Sequence, residues 1–475
     1  MTIAFFDAIA AIPHIKTILI GFWLLYVAVL CVWIMLQKRD PVATLSWIIS
    51  LSLLPYIGFL FYYLLGPMRV ERQRLRRIRS NANFRELDAF KDKDRDAIEL
   101  SRMIQGTTGI PPTTARTVKL LVDGGNKYPA LLKDIANAKE TIHIEYYIFL
   151  GDQTGQAIMA ALLERARAGV KVRLLIDAVG SGKTKRKFFK EFQEAGGEVA
   201  WFHPTRWFRF WEKSWVNLRT HRKIVVIDDA IGYVGGINVT DEEDERLSDK
   251  AYRDLHVRVE GNVVRSLQLL FVEDWAYATD SSPLKMTHPE PVTGPILSQV
   301  VASGPDSSQE AIHRTFVSMI NNAKSRVWLM TPYFVPSEAA RMALTSAAYS
   351  GLDVRVMVPK QSDSKLVTYA ARSYFDEMLE SKIKIHEYGP RMLHSKALLC
   401  DDEALMIGSA NFDMRSFRLN FEAMILTQDP GLGKEFEELF LYEMNSAPLV
   451  RDDRDRPFFT SKLPEAFARL LSPLL

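Results

Sequence analysis

Two short phrases in the chain could do chemistry together. The first is His221-x-Lys223-x4-Asp228, followed by Gly235-Gly236-x-Asn238; the second is His394-x-Lys396-x4-Asp401, followed by Gly408-Ser409-x-Asn411. On a strand, residues two apart share a face, so each histidine and its lysine project together. Gly235, Gly236, Gly408 and Ser409 are small enough to let substrate approach closely, and Asn238 and Asn411 add neutral hydrogen-bond donors. Phosphodiester exchange needs a nucleophile, a proton donor for the departing alcohol and cations matched to the phosphoryl oxygens. Two His-Lys pairs hold all three. One imidazole attacks phosphorus to form a phosphohistidine, while the other protonates the leaving oxygen and then acts as base toward the incoming alcohol. The lysines neutralise charge, and no cysteine or carboxylate cluster has metal-ligand spacing, so neither metal nor cofactor is expected.

A histidine used this way needs an acceptor on its second ring nitrogen. Asp254, in Tyr252-Arg253-Asp254-Leu255, and Glu422, in Asn420-Phe421-Glu422, are the candidates. Asp228 and Asp401 belong to the motifs and count among the site residues, but their expected work is to fix local turns or lobe contacts. His143 and His386 read as ordinary histidines.

The elements that carry these phrases also recur. Asn137-Ala138-Lys139 precedes the apolar run 142–149, and Asn322-Ala323-Lys324 precedes the run 327–334; Gly169 to Ile176 is matched by Gly351 to Val358, each after a helix-like segment. The order is the same in both halves and ends in the same motif. Strands alternating with helices twice over predict two similar α/β lobes, residues 116–290 and 291–475, packed together with the site drawing on both.

A chain of 475 residues exceeds one core, and with 48% hydrophobic and 25% charged residues its composition is globular rather than disordered or membrane-embedded throughout. The apolar excess lies in the first 66 residues. Thr17 to Gln37 is 21 residues without a formal charge, and a second uncharged stretch runs from Pro41 to Met68, interrupted by Pro55 and Gly58. Two transmembrane helices forming a hairpin over 1–66 are expected. A basic juxtamembrane linker, 67–115, follows, carrying Arg69, Arg72, Arg74, Arg76, Arg77 and Arg79. These arginines predict cytoplasmic catalytic lobes and contact with anionic headgroups. A net charge of +3 gives no case for nucleic acid as a partner, and two cysteines, Cys31 and Cys400, make no disulfide framework. Oligomeric state leaves no signal.

Before the first motif, Trp201 to Trp215 mixes four tryptophans with arginines, which suits a bilayer interface. The last residues, Leu463 to Leu475, place Phe467, Leu470 and Leu471 at helical spacing, open equally to lipid docking and to core packing.

The paired motifs resemble those of the phospholipase D superfamily over roughly residues 116–445. The segment from Lys38-Arg39-Asp40-Pro41 through Leu54-Pro55-Tyr56-Ile57-Gly58 to Tyr63-Leu64-Leu65-Gly66 resembles the N-terminal part of bacterial cardiolipin synthases. The resemblance implies two phospholipase D-like lobes related by a pseudo-twofold repeat, in a multi-pass protein of the bacterial cell membrane. It implies that a phosphatidyl group passes between two phosphatidylglycerol molecules in the bilayer, giving cardiolipin and glycerol without a required metal. By matching position, His221 is then the nucleophile and His394 the acid and base. A membrane-tethered hydrolase that uses water and a non-catalytic lipid-binding scaffold are the competing readings.

Overall fold

Runs such as Ile224-Val225-Val226-Ile227 and Met424-Ile425-Leu426 are apolar without alternation, as strands buried on both faces must be. The computed structural model describes residues 14–36, 44–45, 48–49, 51, 95–203, 218–284, 292–307 and 309–472. The chain divides into two compact units, residues 1–68 with 207–217, and residues 69–206 with 218–475. The second unit carries both motifs.

Its first sheet comprises β2 (Thr117–Val122), β3 (Thr141–Tyr146), β4 (Lys171–Asp177), β5 (Glu198–Phe202), β6 (Lys223–Ile227), β7 (Ile231–Gly235) and β8 (Leu255–Glu260). Its second comprises β1 (Thr113–Ala115), β9 (Ile296–Ser303), β10 (Arg326–Met330), β12 (Asp353–Pro359), β13 (Lys384–Tyr388), β14 (Ala397–Cys400), β15 (Ala404–Gly408) and β17 (Glu422–Gln428); β11 (Phe334–Val335) and β16 (Phe412–Asp413) pair separately. The spatial orders are β2-β8-β7-β6-β3-β4-β5 and β1-β9-β17-β15-β14-β10-β12-β13. With β1 set aside, the two orders correspond strand for strand. So does the sense of pairing: β3–β4–β5 and β10–β12–β13 run parallel, and the remaining neighbours are antiparallel. The internal repeat is thus a repeat of topology.

The sheets pack face to face. Ile224, Val226, Val234 and Val257 of the first and Val300, Leu399, Leu405 and Ile407 of the second share one buried cluster. The outer faces are covered by helices: Asp123–Asn137 and Gln153–Arg167 on the first sheet, Ala311–Asn322 and Glu338–Tyr349 on the second. Burial on both faces explains why these strands lack a polar side.

The stretch 67–115 is not linker throughout. Helix Arg95–Thr108 buries Leu100 and Ile104 in the core of the second lobe, and β1 adds an edge strand antiparallel to β9. Apolar residues at that helical spacing cannot stay in water when an uncovered sheet face lies within reach. In the N-terminal unit, Ile15–Met35 forms one helix of 21 residues whose Phe22, Leu25 and Val29 side chains are exposed. Among the described residues, no helix is long and apolar enough to cross a membrane. Most of the second expected span, the arginine run and the tryptophan-arginine segment from 204 to 217 lie outside the described residues.

A candidate active site at the lobe interface

His221 and His394 each stand just before a strand, β6 and β14, with Lys223 and Lys396 at or next to the strand start. The residues leading into one motif pair with the residues leading into the last long strand of the other half. Thr220 bridges Phe421, and Arg253 bridges Leu393, both in parallel. The His221 N–H donates to the Phe421 carbonyl at 2.8 Å, and the His394 N–H to the Arg253 carbonyl at 2.7 Å. This crossed pairing puts each imidazole beside a carboxylate of the other lobe. His221 Nδ1 lies 3.1 Å from both Oε1 and Oε2 of Glu422, and His394 Nδ1 lies 2.6 Å from Asp254 Oδ2. Each Nδ1–H donating to its carboxylate leaves Nε2 with its lone pair, the tautomer a nucleophile or base requires.

Lys223 Nζ donates to the His221 carbonyl at 2.7 Å, and Lys396 Nζ donates to the His394 carbonyl and lies 3.5 Å from Asp254 Oδ2. Glu422, Asp254, Lys223 and Lys396 are buried almost completely. For the lysines and histidines burial dominates, because there removing the positive charge from water costs more than partial pairing returns. It lowers Lys223 to about 7, against the pull of Glu422, and lowers Lys396. Both imidazoles fall below their ordinary range, His394 the further, with Lys396 adding to burial. Each histidine also feels the other lobe's lysine, so the four groups share one field.

The carboxylates differ. Burial pushes Asp254 up to about 6, with Lys396 opposing. Burial also pushes Glu422 up, but His221, Lys223 and the Ser409 hydroxyl outweigh it, and Glu422 ends below the usual carboxylate range. Ser409 Oγ donates to Glu422 Oε2 at 2.5 Å, and Asn420 Nδ2 to Oε1 at 3.2 Å. The matching position in the first half is Gly236, where a Cβ would lie 2.2 Å from Asp254 Oδ1. A serine hydroxyl braces one carboxylate, and the absence of a side chain makes room for the other.

Several of the residues expected to contact substrate have structural work. Gly235 and Gly408 back onto the neighbouring strand, where a Cβ would meet His256 or Ala423 and Met424. With Gly236 and Ser409, they let strands and carboxylates approach one another. Asn238 donates from Nδ2 to Glu243 at 2.6 Å and accepts from the Ile148 N–H, while Asn411 donates to Asp413 at 3.2 Å; both are buried. The Asn238 amide is engaged on both sides in the turn it closes, whereas Asn411 Oδ1 is buried without a hydrogen-bond partner among the described residues.

Asp228 and Asp401 stand just past the far ends of β6 and β14, each seven residues along the chain from its histidine, with the length of a strand between them. Both adopt positive φ. Asp228 accepts from the N–H groups of Lys139, Glu140 and Thr141, and Asp401 from those of Lys324, Ser325 and Arg326. These aspartates fasten the helix-to-strand turn of each lobe and stand away from the reacting groups. His143 is packed on Phe271 beside Gln268, and His386 Nδ1–H donates to the Ala447 carbonyl, both apart from the site.

Tyr147 and Tyr252, unremarked in the sequence, lie with ring centroids 5.1 and 5.4 Å from His221 and His394. No spacing rule pointed to them, since they sit on loops after or before strands that only the fold brings to the histidines. Glu243 was missed as well. With Asp254 and His394 it forms the one group among the described residues whose ligating atoms lie within 4.8 Å, as a metal site would require. Its carboxylate already accepts from the Asn238 N–H at 2.7 Å and from the Asn238 amide, and Asp254 is taken up by His394 and Lys396. Glu243 and Asp254 both favour the charged forms of Lys223 and Lys396 beside them, against the effect of burial.

Residues 131–250 and 316–444 match the family model described as cardiolipin synthase, PLD-like domain, and residues 24–67 match a phospholipase D-nuclease N-terminal model. A cardiolipin synthase of Geobacillus kaustophilus is 38% identical over 467 residues, covering 93% of this chain and 91% of that protein. Cardiolipin synthase 1 of Bacillus anthracis is 35% identical over 469 residues with the same coverage. Among solved structures, phosphatidylserine synthase of Haemophilus influenzae superposes with a TM-score of 0.60 at 15% identity, covering 79% of this chain and all of that one, a likeness of fold.

Proposed function

This chain belongs to the cardiolipin synthase family with its phospholipase D-like domain, and from that premise we propose that it joins two phosphatidylglycerol molecules into cardiolipin through a phosphohistidine at His221. The observation that carries the mechanism is the crossed anchoring of two imidazoles, His394 buried and His221 partly buried, by Asp254 and Glu422 between two lysines.

In the first step, His221 Nε2 bonds to phosphorus while the bond from phosphorus to the glycerol oxygen breaks, and His394 gives that oxygen its proton. In the second, the free primary hydroxyl of another phosphatidylglycerol gives its proton to His394 and attacks phosphorus. The N–P bond breaks, and cardiolipin leaves. Lys223 and Lys396 offset charge on the non-bridging oxygens. A neutral His221 suits the nucleophile. His394 must carry a proton in the first step, although burial disfavours it; the phosphodiester anion entering between the histidines raises its affinity for a proton, so proton uptake accompanies substrate binding.

The N-terminal hairpin holds the catalytic unit at the bacterial cell membrane, with the lobes on the cytoplasmic side. The arginine run after the second span, and the match of residues 24–67, support this reading. The test is purified protein with phosphatidylglycerol in mixed micelles, following cardiolipin, phosphatidic acid and glycerol together, with His221→Ala as control. Cardiolipin matched by glycerol is expected. Phosphatidic acid and glycerol without cardiolipin would make the protein a hydrolase, and no product at all would favour a lipid-binding scaffold.

A further inference from the structure

The C-terminal segment was open to lipid docking or core packing, and its exposure decides against the core for one face. Residues Phe458–Lys462 form a wide helical turn that runs into the helix Leu463–Leu470. Ala468 and Glu465 face inward, and Ser472 receives the Tyr374 hydroxyl at 2.9 Å. On the outer side Phe459, Leu463, Phe467 and Leu470 form a stripe at steps of four, four and three residues, exposed to 79%, 48%, 59% and 77%, with Phe458 beside it. Such a stripe belongs against an apolar surface.

Charge selects the partner. Glu465 is the only carboxylate between residues 457 and 472; it is buried and lies 2.8 Å from Arg456. The charges left at the surface of this segment are cations, Lys462 and Arg469. Arg469 reaches Glu377 at 3.4 Å, but Glu377 is also held by Arg341 at 2.5 Å, so two guanidinium groups share one carboxylate. Apolar side chains flanked by cations, with the acid turned inward, suit the headgroup and acyl boundary of an anionic membrane.

We infer that the face formed by Phe459, Leu463, Phe467 and Leu470 docks the catalytic unit on an anionic phospholipid surface, a contact separate from the N-terminal hairpin. It rests on the proposed function only in that a lipid substrate requires the catalytic unit to work at such a surface. The full-length protein with His221→Ala, which needs no turnover, is made with Cys31→Ser and Leu470→Cys, labelled with an environment-sensitive dye at residue 470, and placed in nanodiscs whose acyl chains bear a nitroxide quencher. The same dye at Asn137→Cys, beside the far-end turn closed by Asp228, is the reference. Expected is quenching at 470 and not at 137 in phosphatidylglycerol discs, reduced in phosphatidylcholine discs and after Lys462→Glu with Arg469→Glu. A water-exposed, unquenched dye at 470 in both lipids overturns the inference. So does a dye shielded without quenching in proportion to protein concentration, which would assign the face to a second copy. Because no step of the assay depends on product, a failed cardiolipin assay leaves this result standing.

Discussion

The two halves of the site share a scaffold and differ in how they hold a carboxylate. Glu422 is braced by the Ser409 hydroxyl and the Asn420 amide and stays below the usual carboxylate range; Asp254, one methylene shorter and facing Gly236, is pushed up to about 6. A pseudo-twofold repeat therefore does not produce equal partners. The histidine paired with the strongly ionised carboxylate is the better placed to carry positive charge once phosphorylated, and the one paired with the weaker acid the better placed to pass a proton on. Duplication supplies the geometry, and a few side-chain differences divide the labour.

The comparison breaks most visibly at the histidines themselves. His221→Ala and His394→Ala are each expected to lower kcat on the order of 10^4-fold, with the fold retained by circular dichroism. With radiolabelled phosphatidylglycerol and rapid quenching, label should stay bound to the chain in the presence of His221 and be absent in His221→Ala. Label retained in His221→Ala would reverse the two roles.

Next come the anchors. Glu422→Gln and Asp254→Asn keep size but lose charge, and each is expected to cost on the order of 10^2-fold in kcat with KM little changed, as for other groups that orient a catalytic histidine. A loss confined to KM would mean that the carboxylates serve binding instead. The asymmetry is sharpened by exchanging its source: Ser409→Gly removes one hydrogen bond to Glu422, for a loss of about tenfold. Gly236→Ser places a side chain against Asp254 and should cost more than Ser409→Gly. Equal effects of the two exchanges would remove the distinction between the halves.

The pH profile tests the shared field. Lys223, held at about 7 by burial, is cationic below that pH and neutral above it, so kcat/KM should fall as pH rises through about 7. Lys223→Arg keeps its charge and should move that fall to higher pH, whatever its effect on the maximum. A fall at the same pH in the variant would assign the titration to another group. The smallest effect on catalysis is expected at the motif aspartates. Asp228→Ala loses three acceptor contacts to backbone N–H groups and should lower the Tm, by about 1–3 kcal/mol of stability, while activity per folded molecule changes little.

Much of this was legible in the chain. Motif duplication, the ordered recurrence of apolar runs and the positions of Asp254 and Glu422 are local patterns, and local patterns survive in one dimension. The helix Arg95–Thr108 and β1 were read as linker because their partner, the edge of the second sheet, lies some 180 residues away for β1. Composition cannot say which neighbour a small residue makes room for; in the structure Gly235 and Gly408 make room for neighbouring strands and Gly236 for a carboxylate.

Residue type and spacing by themselves determined that this chain holds two histidine-lysine pairs on two similar α/β lobes, because backbone periodicity and apolar patterning act over a few residues. Only the tertiary structure decided that each histidine leans on the carboxylate of the opposite lobe, that the motif aspartates serve turns rather than lobe contacts, and that the C-terminal stripe stays outside the core. Those outcomes depend on parallel bridges between segments about 140 to 200 residues apart and on which surfaces the packed sheets leave uncovered, and both are properties of the assembled fold.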